Sequence, residues 1–198
     1  MLLFLPLWVE KIISAIAAVF IIIAQVIFVI DIFKRKIKPS VLSWIGWALL
    51  MGTSLVSQIF SMGWAWSLTG LAFSTIGCVC IFFTAISLKQ YIIKKTDWKF
   101  LALGFICVII YYISKNPWLT TCFAILADLA VGIPTLVHAY KEPHTQKTVA
   151  WKLGLISWIL SLFLCIGHDW LYTLFPVYLI LFNTIMIFFT REKAYNRK

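Results

Sequence analysis

Seven long apolar blocks run through this sequence, at about residues 12–33, 41–60, 64–88, 98–114, 119–140, 151–166 and 170–190. Blocks of roughly 17 to 25 residues are typical of helices that cross a hydrocarbon core about 30 Å thick. Barrel strands would alternate apolar and polar residues, and the stretch 17–30 shows no such alternation. Helices are therefore favoured, because each one satisfies its own backbone hydrogen bonds inside lipid.

The composition excludes a water-soluble globule. Of the 198 residues, 63% are apolar and only 12% are charged, whereas soluble domains have about 25% charged residues. The five cysteines all fall inside the apolar blocks, so no disulfide framework is predicted. The N-terminal region lacks the basic start and the cleavage site of a signal peptide, so we interpret block 12–33 as a retained helix.

The basic residues predict the orientation of the helices. If all seven blocks cross the membrane, fifteen of the seventeen lysines and arginines lie on one side, in the segments 34–38, 89–99, 141–152 and 191–198. The positive-inside rule then places the N-terminus outside and the C-terminus in the cytoplasm, most simply of a bacterial inner membrane. Attraction to anionic lipid explains this charge without nucleic acid as a partner. Interfacial tryptophans are expected near the block ends, at Trp44, Trp64, Trp98, Trp118, Trp151 and Trp170.

An internal repeat is indicated by matches at nearly constant spacing. The sequence IFFT at 81–84 recurs 106 residues later at 187–190, and each copy follows a tryptophan at the same distance. At an offset of 107 residues, Lys34 and Trp44 align with Lys141 and Trp151. We interpret residues 1–88 and 117–198 as two three-helix units, joined by a linker helix with its loops at 89–116. Four spans separate equivalent helices, so the repeat is parallel.

This 3+1+3 architecture resembles the SWEET and PQ-loop class of seven-helix transporters. The Pro-Gln pair of that class has only a partial counterpart here, Pro134-Thr135, and Ile27-Phe28 at the equivalent place in the first unit lacks it. The resemblance implies a substrate site at the interface of the repeats, near the bilayer midplane. In SWEET-type proteins an asparagine of the third helix in each unit lines the cavity. The resemblance implies that role for Asn183, whereas the first-unit counterpart is Gly77.

The sequence is more closely similar to a group of uncharacterised bacterial seven-helix proteins. Motifs that carry this likeness include Lys38-Pro39-Ser40, Ala127-Asp128 and the segment Tyr140-Lys141-Glu142-Pro143. The spacing of Trp44 and Trp47 is also similar to that of bacterial nicotinamide riboside transporters.

Asp128 is the strongest candidate site residue from the sequence. It is the only acidic residue deep inside a block, and it lies about 14 Å from the outer end of its helix at 1.5 Å per residue. Intramembrane carboxylates are costly and commonly mark substrate or proton pathways. The alternative is a structural aspartate that holds helices together. The other candidate substrate-binding residues at comparable depth are Asn183, Gln25, Ser74, Thr75 and Trp158.

Three helix-weakening residues are candidate hinges. Pro134 and Pro176 each remove a backbone donor from a predicted helix, and Gly70 aligns with Pro176 at the offset of 106 residues. Their alternative role is a tolerated kink without movement. We interpret His138 and His144, which flank the third basic segment, as surface residues. No metal-ligand spacing is present, and neither a metal nor a cofactor is expected.

No motif for an enzyme is found, since the sequence lacks a phosphate loop, a nucleophile elbow and a His-Glu-x-x-His pattern. The sequence favours a carrier, facilitative or proton-linked, for a small polar metabolite such as a sugar. A vitamin or nucleoside facilitator is the alternative within that class. A membrane scaffold or partner subunit is the alternative from another class. The lipid bilayer is the expected surrounding, and association into a homo-oligomer stays open.

Overall fold

The computed structural model of the chain describes residues 6–62, 68–113, 117–165 and 173–191. Within these ranges it contains seven α-helices, a short 3₁₀ helix at Pro143–Gln146 and no strand. The helices are α1 (Leu7–Phe33), α2 (Val41–Met62), α3 (Leu68–Ser87), α4 (Asp97–Ile113), α5 (Pro117–Lys141), α6 (Ala150–Phe163) and α7 (Leu174–Phe189). The prediction of an all-helical protein is confirmed for the described part of the chain.

In the part of the chain that the structure describes, three helical stretches are long and apolar enough to cross a membrane. They are Leu7–Phe33, Thr69–Ser87 in α3 and Thr121–Lys141 in α5. Helix α1 is apolar on both faces: its buried face carries Ile21 and Phe28, and its exposed face carries Val19 and Ile23. A helix that is apolar on all sides is typical of a membrane span.

Helices α1 and α3 end in the same way, at residues with a left-handed backbone. Arg35 has φ of 55° and Lys89 has φ of 54°. After α1 the backbone N–H of Lys36 donates to the carbonyl of Asp31 at 2.9 Å, and an equivalent bond follows α3. This is the Schellman arrangement, which satisfies the last carbonyls of a helix and turns the chain sharply. Each turn leads directly into a basic segment.

The packing of the helices follows a pattern that is the same in both halves of the chain. Helix α1 packs on α3, and α5 packs on α7; likewise α2 packs on α3, and α6 packs on α7. Across the halves, α1 contacts α6 and α5 contacts α2. Helix α4 lies outside this pattern and packs mainly along α5, with a smaller contact to α2.

The three basic connections between helices meet at one end of the bundle. The backbone N–H of Lys38 donates to the carbonyl of Thr145 at 2.8 Å, and the Gln146 side-chain amide donates back to the Lys38 carbonyl at 2.8 Å. The N–H of Ile92 donates to the carbonyl of Pro39 at 2.9 Å. These bonds join the α1–α2, α3–α4 and α5–α6 connections into one layer, which we call the loop layer.

Candidate functional site

A cavity lies between the two halves of the bundle, lined by residues of α1, α2, α3, α5, α6 and α7. Its volume is about 80 Å³, and it is partly open. A water molecule needs roughly 10 to 15 Å³ of such space, so the cavity can hold several waters or a small ligand group. Its lining comes from α1, α2 and α3 in the first half of the chain and from α5, α6 and α7 in the second half.

Asp128 of α5 contributes the carboxylate of this cavity. Its residue is only 3% exposed, and the hydroxyl of Tyr178 on α7 donates to its Oδ2 at 2.7 Å. The indole N–H of Trp47 on α2 donates to the backbone carbonyl of Asp128 at 3.3 Å. Within the described ranges, Asp128 forms no ion pair. The carboxylate therefore accepts a hydrogen bond from the neutral hydroxyl of Tyr178, while Trp47 binds the backbone of the same residue.

Two side-chain amides line the cavity, and each lies against a glycine of a neighbouring helix. Asn183 donates from Nδ2 to the Leu179 carbonyl at 2.8 Å, and a Cβ added at Gly154 would lie 2.9 Å from its Oδ1. Similarly, a Cβ at Gly77 would overlap the amide of Gln25. The glycines allow the amides to approach the backbones of α6 and α3 closely.

Five aromatic residues close the cavity beside the loop layer. We call Phe28, Trp44, Trp47, Trp151 and Phe182 the aromatic cluster; all five are buried, and all line the cavity. Ring centroids are 4.6 Å apart for Phe28 and Trp44, and 6.2 Å apart for Trp44 and Trp151. Trp44 and Trp151 lie in the first turns of α2 and α6, directly after the loop layer. The cluster therefore separates the cavity from that end of the bundle.

Among the described residues of the cavity wall, two fully buried polar atoms have no hydrogen-bond partner in the protein. They are the indole Nε1 of Trp44 and the hydroxyl of Ser74, both buried. The equivalent indole of Trp151 differs, because it donates to the carbonyl of Gln146 at 3.0 Å. Buried polar groups usually find a partner, so the indole of Trp44 and the hydroxyl of Ser74 can serve a polar group that enters the cavity.

Five of the six sequence-predicted binding residues line this one cavity: Asp128, Asn183, Gln25, Ser74 and Trp158. The sixth, Thr75, is not among the lining residues. Its hydroxyl donates to the Leu71 carbonyl at 2.8 Å, and its methyl group faces α2 near Gly52. Thr75 faces away from the cavity because consecutive residues of a helix point about 100° apart, and its neighbour Ser74 faces the cavity.

The candidate hinges occupy different positions in their helices. Pro134 is buried inside α5, which continues through it to Lys141. Pro176 lies in the first turn of α7 as described, where a missing N–H removes no helical hydrogen bond. Gly70 also lies in the first turn of its helix, with no atom within 4 Å of an added Cβ. Movement at these residues stays a prediction.

Two of the tryptophans expected at the membrane interface lie near helix ends, as predicted, but are buried inside the protein. Trp44 and Trp151 are 5% and 7% exposed and belong to the aromatic cluster, whereas Trp98 is exposed as expected. Trp64 and Trp170 lie outside the described residues. The sequence did hold a signal for the cluster, because Trp44 and Trp151 align with each other in the repeat.

Gly132→Ala is expected to lower the stability of the folded protein. A Cβ at Gly132 would lie 2.8 Å from Cε2 of Phe182 and 3.1 Å from Cζ2 of Trp47. Overpacking of this kind costs about 1 to 3 kcal/mol, against a gain of about 1 kcal/mol in helix propensity. The midpoint of chemical unfolding in detergent should therefore fall. Gly70→Ala is the matched control and should leave the midpoint unchanged or raise it; equal midpoints for both variants would contradict the prediction.

Comparison of the chain with protein-family models, with curated proteins and with solved structures gave no match. The resemblance to the SWEET and PQ-loop class stays a prediction from the sequence.

Proposed function

We propose that this chain is a membrane carrier for a small polar metabolite, which binds in the cavity between two three-helix units. The observation that carries the proposal is the cavity itself, whose wall contains Asp128 and Asn183 from two different helices. A scaffold would be expected to bury these groups against neighbouring side chains, with no space between the halves. An intramembrane carboxylate beside a cavity is the arrangement typical of substrate or ion pathways.

The proposed architecture has seven spans, in which units 1–88 and 117–198 are joined by the linker 89–116. The packing pattern supports it, because α1 packs on α3 as α5 packs on α7, and α2 packs on α3 as α6 packs on α7. Helix α4, the proposed linker, has no counterpart in this pattern. The contact of α1 with α6 has its counterpart in that of α5 with α2. A two-fold relation about an axis through the bundle would produce such pairs.

The proposed orientation places the loop layer in the cytoplasm of a bacterial inner membrane. Its support is that the basic connections before α2, α4 and α6 meet at one end of the bundle. Lysine and arginine collect in cytoplasmic loops. The aromatic cluster would then close the cavity toward the cytoplasm.

Alternating access in this scheme requires the cluster to separate when the units rock. The hydrogen bonds between Lys38 and the segment at Thr145 and Gln146 join the two units at the closed end. Rocking would break these two bonds and part Trp44 from Trp151, opening the cavity toward the loop layer. The same movement would serve a facilitator for a vitamin or a nucleoside. Only the identity of the substrate distinguishes such a facilitator from a carrier for another small metabolite, because the fold would be the same.

Uptake into liposomes tests the proposal. The purified protein is reconstituted and offered labelled sugars, amino acids, nucleosides, vitamins and small amines, each as a separate assay. We expect saturable uptake of at least one class, reduced at least tenfold in Asn183→Ala. Thr184→Ala is the matched control, because Thr184 is exposed, adjacent in sequence and bonded to the carbonyl four residues earlier in the same way.

The contrary result is equally clear. If the folded wild-type protein moves none of these compounds, and Asn183→Ala changes only its unfolding midpoint, the carrier proposal fails. The polar groups would then act only in helix packing, and the loop layer would become the surface for a protein partner.

A further inference from the structure

We propose that the cavity recognises a small organic cation, a methylated ammonium group with a polar substituent. This inference rests on the proposed carrier function and names its substrate class. It follows from three properties of the cavity wall taken together: one carboxylate, an aromatic cluster, and two polar atoms without a protein partner.

The charge of the wall favours a cation. Asp128 is the one charged side chain among the described residues that line the cavity, and no lysine, arginine or histidine lines it there. Its hydrogen-bond donor, the hydroxyl of Tyr178, is neutral, so no protein cation in the described lining balances the charge of the ionised carboxylate. A buried charge is costly unless it is paired, so a ligand cation is stabilised in this cavity while an anion is repelled.

Neighbouring rings of the aromatic cluster meet edge to face and are not stacked in parallel. Trp44 and Trp47 meet at 86°, Trp47 and Phe182 at 85°, and Phe28 and Trp151 at 87°, with ring centroids 5.2 to 5.6 Å apart. Edge-to-face pairs at this distance are in direct contact, so a ligand would meet the ring surfaces that line the cavity and not a space between paired rings. A quaternary ammonium group next to an aromatic ring is held by cation–π attraction, and tryptophan is the most effective ring.

The chemistry of the wall limits which ligands it can hold. A hexose presents hydroxyl groups on all sides of its ring, whereas most of the residues that line this cavity are apolar. A hard cation such as Mg²⁺ requires several oxygen ligands, which aromatic rings do not provide. A methylated ammonium group combines one positive charge with an apolar surface, and both match this wall.

The two unpartnered polar atoms predict a second feature of the ligand. The indole N–H of Trp44 requires an acceptor, and the hydroxyl of Ser74 can donate or accept. A hydroxyl or carbonyl next to the charged group would satisfy both. Choline has this combination of a trimethylammonium group and a hydroxyl, and we therefore select it as the probe.

The test compares choline with 3,3-dimethyl-1-butanol, which has the same shape with carbon in place of the charged nitrogen. A ligand that binds only the folded protein raises its unfolding temperature. We expect choline to raise the unfolding temperature of the purified protein in a saturable way, with at least tenfold higher affinity than the neutral isostere. The affinity for choline should fall at least tenfold in Asp128→Asn and severalfold in Trp44→Phe, and stay unchanged in Trp98→Phe.

The outcomes separate this inference from the carrier proposal. Equal stabilisation by choline and the isostere, or choline affinity unchanged in Trp44→Phe, overturns the cation inference. If choline does not stabilise the protein, but a neutral metabolite is transported and Asn183→Ala reduces that transport, the carrier proposal is supported and only the substrate class is wrong. If Asp128→Asn does not fold, Trp44→Phe and the isostere still decide the question.

Discussion

His138→Ala is expected to destabilise the protein by about 3 kcal/mol, because it removes the side-chain hydrogen-bond partner of a buried carboxyl group and leaves a cavity in place of the ring. Nε2 of His138 on α5 lies 3.3 Å from Oδ2 of Asp97, in the first turn of α4, and both side chains are almost fully buried. The same Oδ2 accepts the backbone N–H of Lys94 at 2.9 Å. Without the histidine, the buried side chain of Asp97 would keep only the N–H of Lys94 and the more distant hydroxyl of Thr96, which donates to Oδ1 at 3.5 Å. Chemical unfolding in detergent measures the effect.

The double variant Asp97→Ala with His138→Ala provides the control. It removes both partners, so its loss of stability should be smaller than the sum of the two single losses, which is the mark of a direct interaction. His144→Ala should be neutral, because His144 is exposed. If His138→Ala unfolds at the wild-type midpoint, the pair has no structural role.

This pair also corrects an interpretation of the sequence. His138 was expected at the surface beside the basic segment, yet it is fully buried, whereas His144 is exposed as expected. The reason is tertiary: α4 packs along α5, and its first turn covers the last turn of α5. Apolar block lengths carry no information about which helices become neighbours, so no pattern in the sequence pointed from His138 to Asp97.

The helices themselves could be predicted, because apolar blocks of roughly 17 to 25 residues without alternation favour helices that satisfy their own backbone hydrogen bonds. Block 41–60 corresponds to α2 at Val41–Met62, and block 98–114 to α4 at Asp97–Ile113. Block 151–166 extends beyond α6, which ends at Phe163 and is followed by a turn. Hydropathy alone does not register such a turn, since the residues after Phe163 are still apolar.

Part of the candidate site could also be predicted from the sequence. Asp128 and Asn183 are conspicuous because polar residues are rare at that depth, and both line the cavity. Thr75 was selected on depth alone, and depth does not specify the face of a helix. The aromatic cluster was missed because a tryptophan near a helix end is commonly interfacial. Only the packing of α2 against α5, and of α1 against α6, places Trp44 and Trp151 inside.

Phe28→Ala should have the other large effect, a loss of about 3 to 5 kcal/mol, the usual cost of truncating a core phenylalanine. Phe28 is 2% exposed, and its ring centroid lies 4.6 Å from that of Trp44 and 5.5 Å from that of Trp151. It thus joins the aromatic rings of α2 and α6, at the point where the two proposed units close.

Phe33→Ala is the matched control for Phe28→Ala, because Phe33 lies in the same helix and is 62% exposed. Its unfolding midpoint in detergent should stay close to that of the wild type. Phe28→Leu, which keeps most of the buried volume, should recover a large part of the stability lost in Phe28→Ala. Equal losses for Phe28→Ala and Phe33→Ala would mean that the aromatic cluster does not hold the two halves together. The closed end would then depend on the hydrogen bonds of the loop layer alone.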